Sequence, residues 1–473
     1  MTQNASGMTR GTRWIYSIGG AGYGMLYNAH YFVLIYYSQV LGLNPVLAGL
    51  AMSLSLVSDA VTDPLVGYLS DSTRSRWGRR HPWLYGSILP LGASFYFLWN
   101  PPGFVVGDTL LFAWLMVCNI SMRTALTMFL VPAYAIVAEL TSDYDERTRL
   151  LTGFHVLYSV FANGMSVLMY AIWLVPTEEI SDGVMNRQGY QNAGLFGTVV
   201  IVASVLVFAI GLRRFIPRLR QYQVNKPPSF RQFFVQVTDV FRNVSARFVV
   251  VSGVMYYAGV GTYVALWVYI YSYFWEFTNE QISIIAIPMA LAALILPPAM
   301  ERWAAGREKK TVAITGLLGA MAVNVVPISL RLLGFFPSNG SEALFWIMVV
   351  AGFFETVLFL VFDISWRSMI ADLAEQMELQ TGRRNEGVIS STITFVTKCA
   401  DALGTLIAGI LLSLIAFPTE TAVGDVPPDV IAKLGLIYGP LVFLIWMGVI
   451  LIISRYRISR SLHEETLEQL AGD

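Results

Sequence analysis

Asp59 and Asp63 sit four residues apart inside the apolar stretch Leu47–Leu69. On a helix, residues i and i+4 share a face, so both carboxylates point the same way. A charge near the centre of a bilayer costs roughly 2.5–3.5 kcal/mol on insertion scales. Two acids on one face therefore imply a cavity, a bound cation or a basic partner. A coupling-cation site in a transporter would use both. A second intramembrane charge, Arg123, falls about four turns above the cytoplasmic end of its own apolar stretch. It must face a cavity or an acid. Its planar guanidinium suits a carboxylate, sulfonate or phosphate on a substrate. The alternative is an ion pair within the protein, to Glu355 or Asp363.

The elements that hold these groups follow from composition. The chain has 473 residues, 55% hydrophobic and 13% charged, with a mean hydropathy of +0.58. Soluble domains carry about 25% charged residues, so this is a polytopic membrane protein. Its 31 basic and 31 acidic residues cancel, and no nucleic-acid partner is expected. The two cysteines, Cys118 and Cys399, both fall in apolar stretches, which argues against a disulfide framework or a thiolate metal site. The polar start, residues 1–13, has no signal-peptide core.

A membrane span needs about 20 mostly apolar residues. Twelve stretches qualify: 14–41, 46–70, 81–100, 108–138, 151–175, 194–216, 247–275, 281–300, 311–333, 342–372, 386–416 and 433–455. Arginines and lysines crowd the loops after spans two, four, six, eight and ten, and acids such as Glu178, Asp182, Glu276 and Asp425 occupy the opposite loops. The positive-inside rule then makes both termini cytoplasmic. The basic loop 217–246 divides the chain into an N-terminal half, 1–216, and a C-terminal half, 247–460, with a cytoplasmic tail at 461–473. Six plus six spans around a central path form the major facilitator arrangement. The expected fold is therefore an all-α membrane protein with twelve transmembrane helices in two six-helix halves around a central cavity.

The run from Asp59 through Asp63, Pro64, Gly67, Asp71, Arg74, Arg76, Trp77, Gly78, Arg79, Arg80, Pro82 and Trp83 resembles the signature of the glycoside–pentoside–hexuronide:cation symporters, which belong to the major facilitator superfamily. Val131-Pro132 with Glu139-Leu140-Thr141, Ile370-Ala371-Asp372-Leu373 and Lys398 extend the resemblance over nearly the whole chain. It implies that Asp59 and Asp63 hold the coupling cation, sodium or a proton. It also implies that Thr127 helps ligate sodium and that Lys398 lies near the site. No other cofactor is implied. The chemistry agrees, because a hard cation takes oxygen ligands. A structural ion pair between spans two and eleven is the competing reading. The galactoside-binding relatives carry sugar-gripping acids where this chain has Tyr23 and Leu130, and a sugar-stacking aromatic corresponds to Tyr134. Melibiose-like galactosides are therefore doubtful substrates.

Spans one and seven are rich in Tyr, Trp and His: Tyr27, His30 and Tyr31, then Tyr256, Tyr257, Tyr263, Trp267 and Tyr271. An interfacial belt explains most of them, while Tyr23, Tyr27 and Tyr263 are the candidates for lining a cavity. Asp71 with Arg74 and Arg79, Glu139 with Arg147 and Arg149, and Asp372 with Arg383 fall at inner helix ends, where they form either a cytoplasmic gate or a solvated basic surface. The expected function is cation-coupled symport of a glycoside or related anionic solute by a monomer in the cell membrane. Sodium-dependent lysophospholipid uptake on the same fold is the alternative. No His-Glu-x-x-His run, Gly-x-Ser-x-Gly elbow or Walker loop supports an enzyme.

Overall fold

The computed structural model describes residues 8–141, 143–178, 180, 182–219, 244–304, 307–381 and 386–456. It is helical throughout these segments and divides into two compact units, Met1–Pro227 and Pro228–Asp473.

The N-terminal unit contains α1 Arg10–Ile35, α2 Pro45–Ser72, α3 His81–Trp99, α4 Gly107–Leu140, α5 Tyr144–Leu168 and α6 Arg187–Leu212. The C-terminal unit contains α7 Val244–Tyr269, α8 Asn279–Ala304, α9 Lys309–Leu332, α10 Glu342–Thr381 and α11 Glu386–Leu414. Its last helix, α12, starts as Pro428–Leu436 and continues through the π turn Ile437–Leu441 into Val442–Ile453. Among the described residues, nine of these helices are long and apolar enough to cross a membrane: α2, α4, α5, α6, α7, α9, α10, α11 and α12. The other three expected spans fall outside that set. They are α1, α3 and α8; α1 is threaded with glycine and tyrosine, and α3 dilutes its apolar residues with His81, Pro82, Pro90 and several Gly, Ser and Tyr.

Local sequence explains where the helices begin. At α2 the Asn44 side chain accepts a hydrogen bond from the Val46 N–H at 2.9 Å, and Pro45 occupies the first turn, where its missing N–H costs nothing. Asp143 caps α5 by accepting from the Glu146 N–H at 3.0 Å.

Each unit repeats the same packing scheme. In the first, α1 packs on α5 and α6, α4 on α2 and α3, and α3 on α6. In the second, α7 packs on α11 and α12, α10 on α8 and α9, and α9 on α12. The repeat extends to detail. α1 and α7 each end in a five-residue π turn, Tyr36–Val40 and Ile270–Phe274, closed by the same pair of hydrogen bonds. Those are Leu41 N–H to Tyr36 O and Leu43 N–H to Tyr37 O in one, Trp275 N–H to Ile270 O and Phe277 N–H to Tyr271 O in the other.

Glycines set the closest approaches. A Cβ on Gly20 would stand 2.0 Å from the Phe154 carbonyl oxygen, and one on Gly404 would stand 2.2 Å from that of Ala258. Backbone therefore meets backbone between α1 and α5 and between α7 and α11, the small-residue mode of packing in membranes.

Candidate functional site

The acid pair on α2 meets two side chains of α4 with the same four-residue spacing. Arg123 Nη1 donates to Asp59 Oδ2 at 2.8 Å, and Thr127 Oγ1 donates to Asp63 Oδ1 at 2.7 Å. Asp59 and Thr127 are each only 4% exposed, whereas Asp63 is half-buried. Pro64 directly follows Asp63 inside α2 and offers no N–H to the carbonyl four residues earlier. That frees a backbone oxygen between the two acids.

In this structure Arg123 makes an ion pair with Asp59, a different acid from those anticipated. Glu355 accepts from Asn324 Nδ2 at 3.0 Å. Asp363 accepts from Tyr257 OH at 2.7 Å and from Arg367 Nε at 2.8 Å.

The sequence reading missed a further member. Asn119 lies one turn before Arg123 on α4, is fully buried, and has no hydrogen-bond partner for either side-chain atom among the described residues. Thr62 Oγ1 is likewise buried without a partner. The signal was present: Asn119, Arg123 and Thr127 form an i, i+4, i+8 polar stripe, facing Ser55, Asp59 and Asp63 at the same spacing on α2.

The inner helix ends carry ion pairs, with several partners exchanged. Glu139, with a side chain 3% exposed, accepts from Arg79 Nη2 at 2.8 Å and from Arg80 Nε at 3.2 Å. Asp71 pairs with Arg80, which also donates to Ser70 Oγ at 2.8 Å, so the expected pairing of Asp71 with Arg74 and Arg79 is corrected. Arg80 heads α3 and turns inward, whereas Arg74 is exposed. Arg149 pairs with Glu146 at 3.1 Å, not with Glu139, because Glu146 lies one turn away on the same helix. Glu146 is also held by Arg13, through Nη2 at 2.5 Å and Nε at 3.1 Å. Asp372 pairs with Lys309 at 2.6 Å. Its expected partner, Arg383, lies outside the described residues, as do the side chains of His30 and Tyr31.

The aromatic candidates form two groups. In the N-terminal unit Tyr23 stacks on Tyr158 at 4.6 Å, Tyr27 meets Tyr158 edge-on at 5.7 Å, and Tyr134 lies over His155 at 6.3 Å. Tyr27 and Tyr134 are exposed on that unit. In the C-terminal unit Tyr263 is buried, stacked on Tyr438 at 4.9 Å and close to Trp446. Lys398 is half-buried on α11.

With this geometry established, comparison with known proteins gives the class. Residues 15–460 match the family described as MFS/sugar transport protein, and the chain belongs to that family. It is a transporter of the major facilitator superfamily, not an enzyme. The putative glycoside/cation symporter YagG of Escherichia coli is 22% identical, over 96% of this chain and 93% of that protein. The sodium-dependent lysophosphatidylcholine symporter 1-A of Danio rerio is 24% identical, over 96% of this chain and 87% of that protein. Among solved structures, the nucleoside transporter NupG superposes with a TM-score of 0.65 at 12% identity, covering 94% of this chain and all of the other. At that identity the likeness concerns the fold alone.

Proposed function

We propose that this protein is a cation-coupled symporter of the cell membrane that takes up a glycoside or a related anionic organic solute by alternating access. Its two six-helix halves are residues 1–216 and 247–460, with both termini cytoplasmic. The observation that carries the reading is the double contact of α2 with α4, Asp59 to Arg123 and Asp63 to Thr127. Relatives named as cation symporters over nearly the full chain support it.

Sodium is the cation this donor set fits best. Asp59, Asp63 and Thr127 supply hard oxygen ligands. Arg123 already neutralises Asp59, so a sodium ion arriving between the acids competes with the guanidinium for that carboxylate. Released from Asp59, Arg123 is available to an anionic group on the substrate. Cation and anionic substrate then favour each other's binding, as linkage requires. Tyr23, Tyr27 and Tyr134 of the N-terminal half offer flat apolar faces with hydrogen-bonding edges to the rest of the substrate, whereas Tyr263, also a candidate, is buried against Tyr438 and Trp446. The ion pairs of Asp71, Arg79, Arg80, Glu139 and Glu146 close the cytoplasmic side of the N-terminal half, and Asp372 does so in the other half. Lysophospholipid is the second reading, favoured by the Danio rerio relative and by the phosphate-binding chemistry of Arg123.

Uptake by purified protein in proteoliposomes tests these readings. The panel is a neutral glycoside, a uronide, a sulfosugar and a lysophospholipid, each under a sodium and a proton gradient, beside Asp59→Asn and Arg123→Ala. Sodium-driven uptake of an anionic solute, lost in both variants, is the expected result. Uptake of a neutral glycoside that survives Arg123→Ala removes the anion role. Gradient-driven uptake that Asp59→Asn leaves intact removes the cation site.

A further inference from the structure

The C-terminal unit contains a buried acid that the reading above leaves unused. Glu355 lies in the middle of α10 and is 5% exposed. Its hydrogen-bond donors are both neutral, the amide Asn324 Nδ2 of α9 at 3.0 Å and the Tyr263 phenol of α7. From α7 the phenols of Tyr263 and Tyr271 face it, and from α12 that of Tyr438. Among the described residues α8 and α11 present no titratable side chain to it, and no lysine, arginine or histidine contributes to its surroundings. The contrast with Asp59 is direct, since Asp59 has a guanidinium at 2.8 Å.

A buried carboxylate without a counter-charge carries a large desolvation penalty, and such a group neutralises itself when it can. The surroundings also have room for one more donor. Asn324 Oδ1 is buried and has no hydrogen-bond partner among the described residues. A carboxyl group that carries a proton has an O–H to give, and a carboxylate has none. An acid and an amide side by side pair through two hydrogen bonds, amide N–H to the acid's carbonyl oxygen and acid O–H to the amide oxygen. The first of these is present. The second requires a proton on the carboxyl, turned toward the unpartnered amide oxygen. Satisfying a buried orphan acceptor in this way is worth more in an apolar interior than on a surface.

We propose that Glu355 and Asn324 form a proton-binding site in the C-terminal unit, with the proton on Glu355 and shared with the Asn324 amide. The ligand is a proton alone, because the donor set around Glu355 is neutral and mostly aromatic and lacks the second acid that a metal cation has at Asp59 and Asp63. Trp446, whose buried indole N–H has no partner among the described residues, stands on the neighbouring α12. The site is separate from the sodium site and does not depend on which substrate is carried.

Infrared spectroscopy of the full-length protein in proteoliposomes tests it directly. The spectrum of the wild type at neutral pH is expected to contain the carbonyl band of a neutral carboxylic acid that shifts in D2O. That band should be missing from Glu355→Gln, and Asn324→Leu should shift it to higher frequency by removing its hydrogen-bond partner. A wild-type spectrum with no such band at neutral pH overturns the proposal, as does a band that Glu355→Gln leaves unchanged. If Glu355→Gln does not fold, the frequency shift in Asn324→Leu decides, and an unshifted band counts against the site. The readout is independent of uptake, so a failed transport assay would not be mistaken for failure of this site.

Discussion

Two buried acids, Asp59 in the N-terminal unit and Glu355 in the C-terminal unit, are almost equally hidden, at 4% and 5% exposure. They are stabilised in opposite ways. Asp59 faces a guanidinium across the α2–α4 contact, so both partners are charged and each depends on the other. Glu355 faces an amide across the α9–α10 contact, so nothing charged depends on it. The two contacts are not equivalent within the shared packing scheme, since α9–α10 corresponds to α3–α4 and not to α2–α4, so the difference reflects both the place in the repeat and the side chains. Under the two proposals above, one half holds a cation-exchangeable carboxylate and the other a proton-holding carboxyl.

The largest effect should come from breaking the charged pair. Asp59→Ala removes the carboxylate that balances Arg123 and is expected to destabilise the protein by about 3–5 kcal/mol, the usual range for breaking a buried pair. Thermal unfolding in detergent would measure it, and a variant as stable as the wild type would erase the contrast with Glu355. Replacing both partners, Asp59→Leu with Arg123→Met, should recover much of that stability while abolishing cation dependence.

Next comes the inner-end network. Glu139→Ala takes the shared acceptor from Arg79 and Arg80 and should cost roughly 2 kcal/mol or more, since hydrogen bonds to charged groups are the stronger ones. A loss confined to a few tenths of a kcal/mol would mean that solvent already screens the network.

Thr127→Val probes the cation site without stranding a charge. Losing one hydroxyl ligand should raise the sodium concentration for half-maximal uptake about tenfold, equivalent to about 1.4 kcal/mol, and the lost hydrogen bond to Asp63 should cost about 1–2 kcal/mol of stability, less than Asp59→Ala. An unaltered sodium dependence would remove Thr127 from the ligand set.

Glu355→Gln should be milder still for the fold. Glutamine keeps the shape and the neutral hydrogen bonding of a protonated acid, so the expected change is within about 1 kcal/mol. A loss as large as that of Asp59→Ala would show that Glu355 is charged and balanced after all. Smallest of all, Arg149→Ala should change stability by less than about 1 kcal/mol, because its side chain is 59% exposed and its pair with Glu146 lies within one helix.

How much of this was legible beforehand depended on whether the signal was periodic. The acid pair was, because a four-residue spacing on a helix fixes a common face whatever the helix packs against. The opposing stripe of Asn119, Arg123 and Thr127 has the same periodicity and was only partly read, since an uncharged asparagine stands out less than an arginine. Helix ends behaved differently. Arg74, Arg79 and Arg80 are nearly adjacent in sequence, yet Arg74 is exposed while Arg80 is buried between Asp71 and Glu139. The direction in which a short turn points each side chain depends on the start of α3, which residue types alone do not reveal.

The sequence by itself therefore determined the class of fold and the location of the charge. Apolar stretches of membrane length must become helices, because only internal hydrogen bonding satisfies the backbone in lipid, and intramembrane acids must have a purpose because they are expensive. Tertiary structure decided the partners. Arg123 could have met Glu355, Asp363 or a substrate, and it meets Asp59 because α2 packs on α4 within one unit. Glu355 was read only as a possible counter-charge, and its amide partner came from a helix about thirty residues away. Periodicity fixes which residues share a face of one helix, but only packing sets which two faces meet.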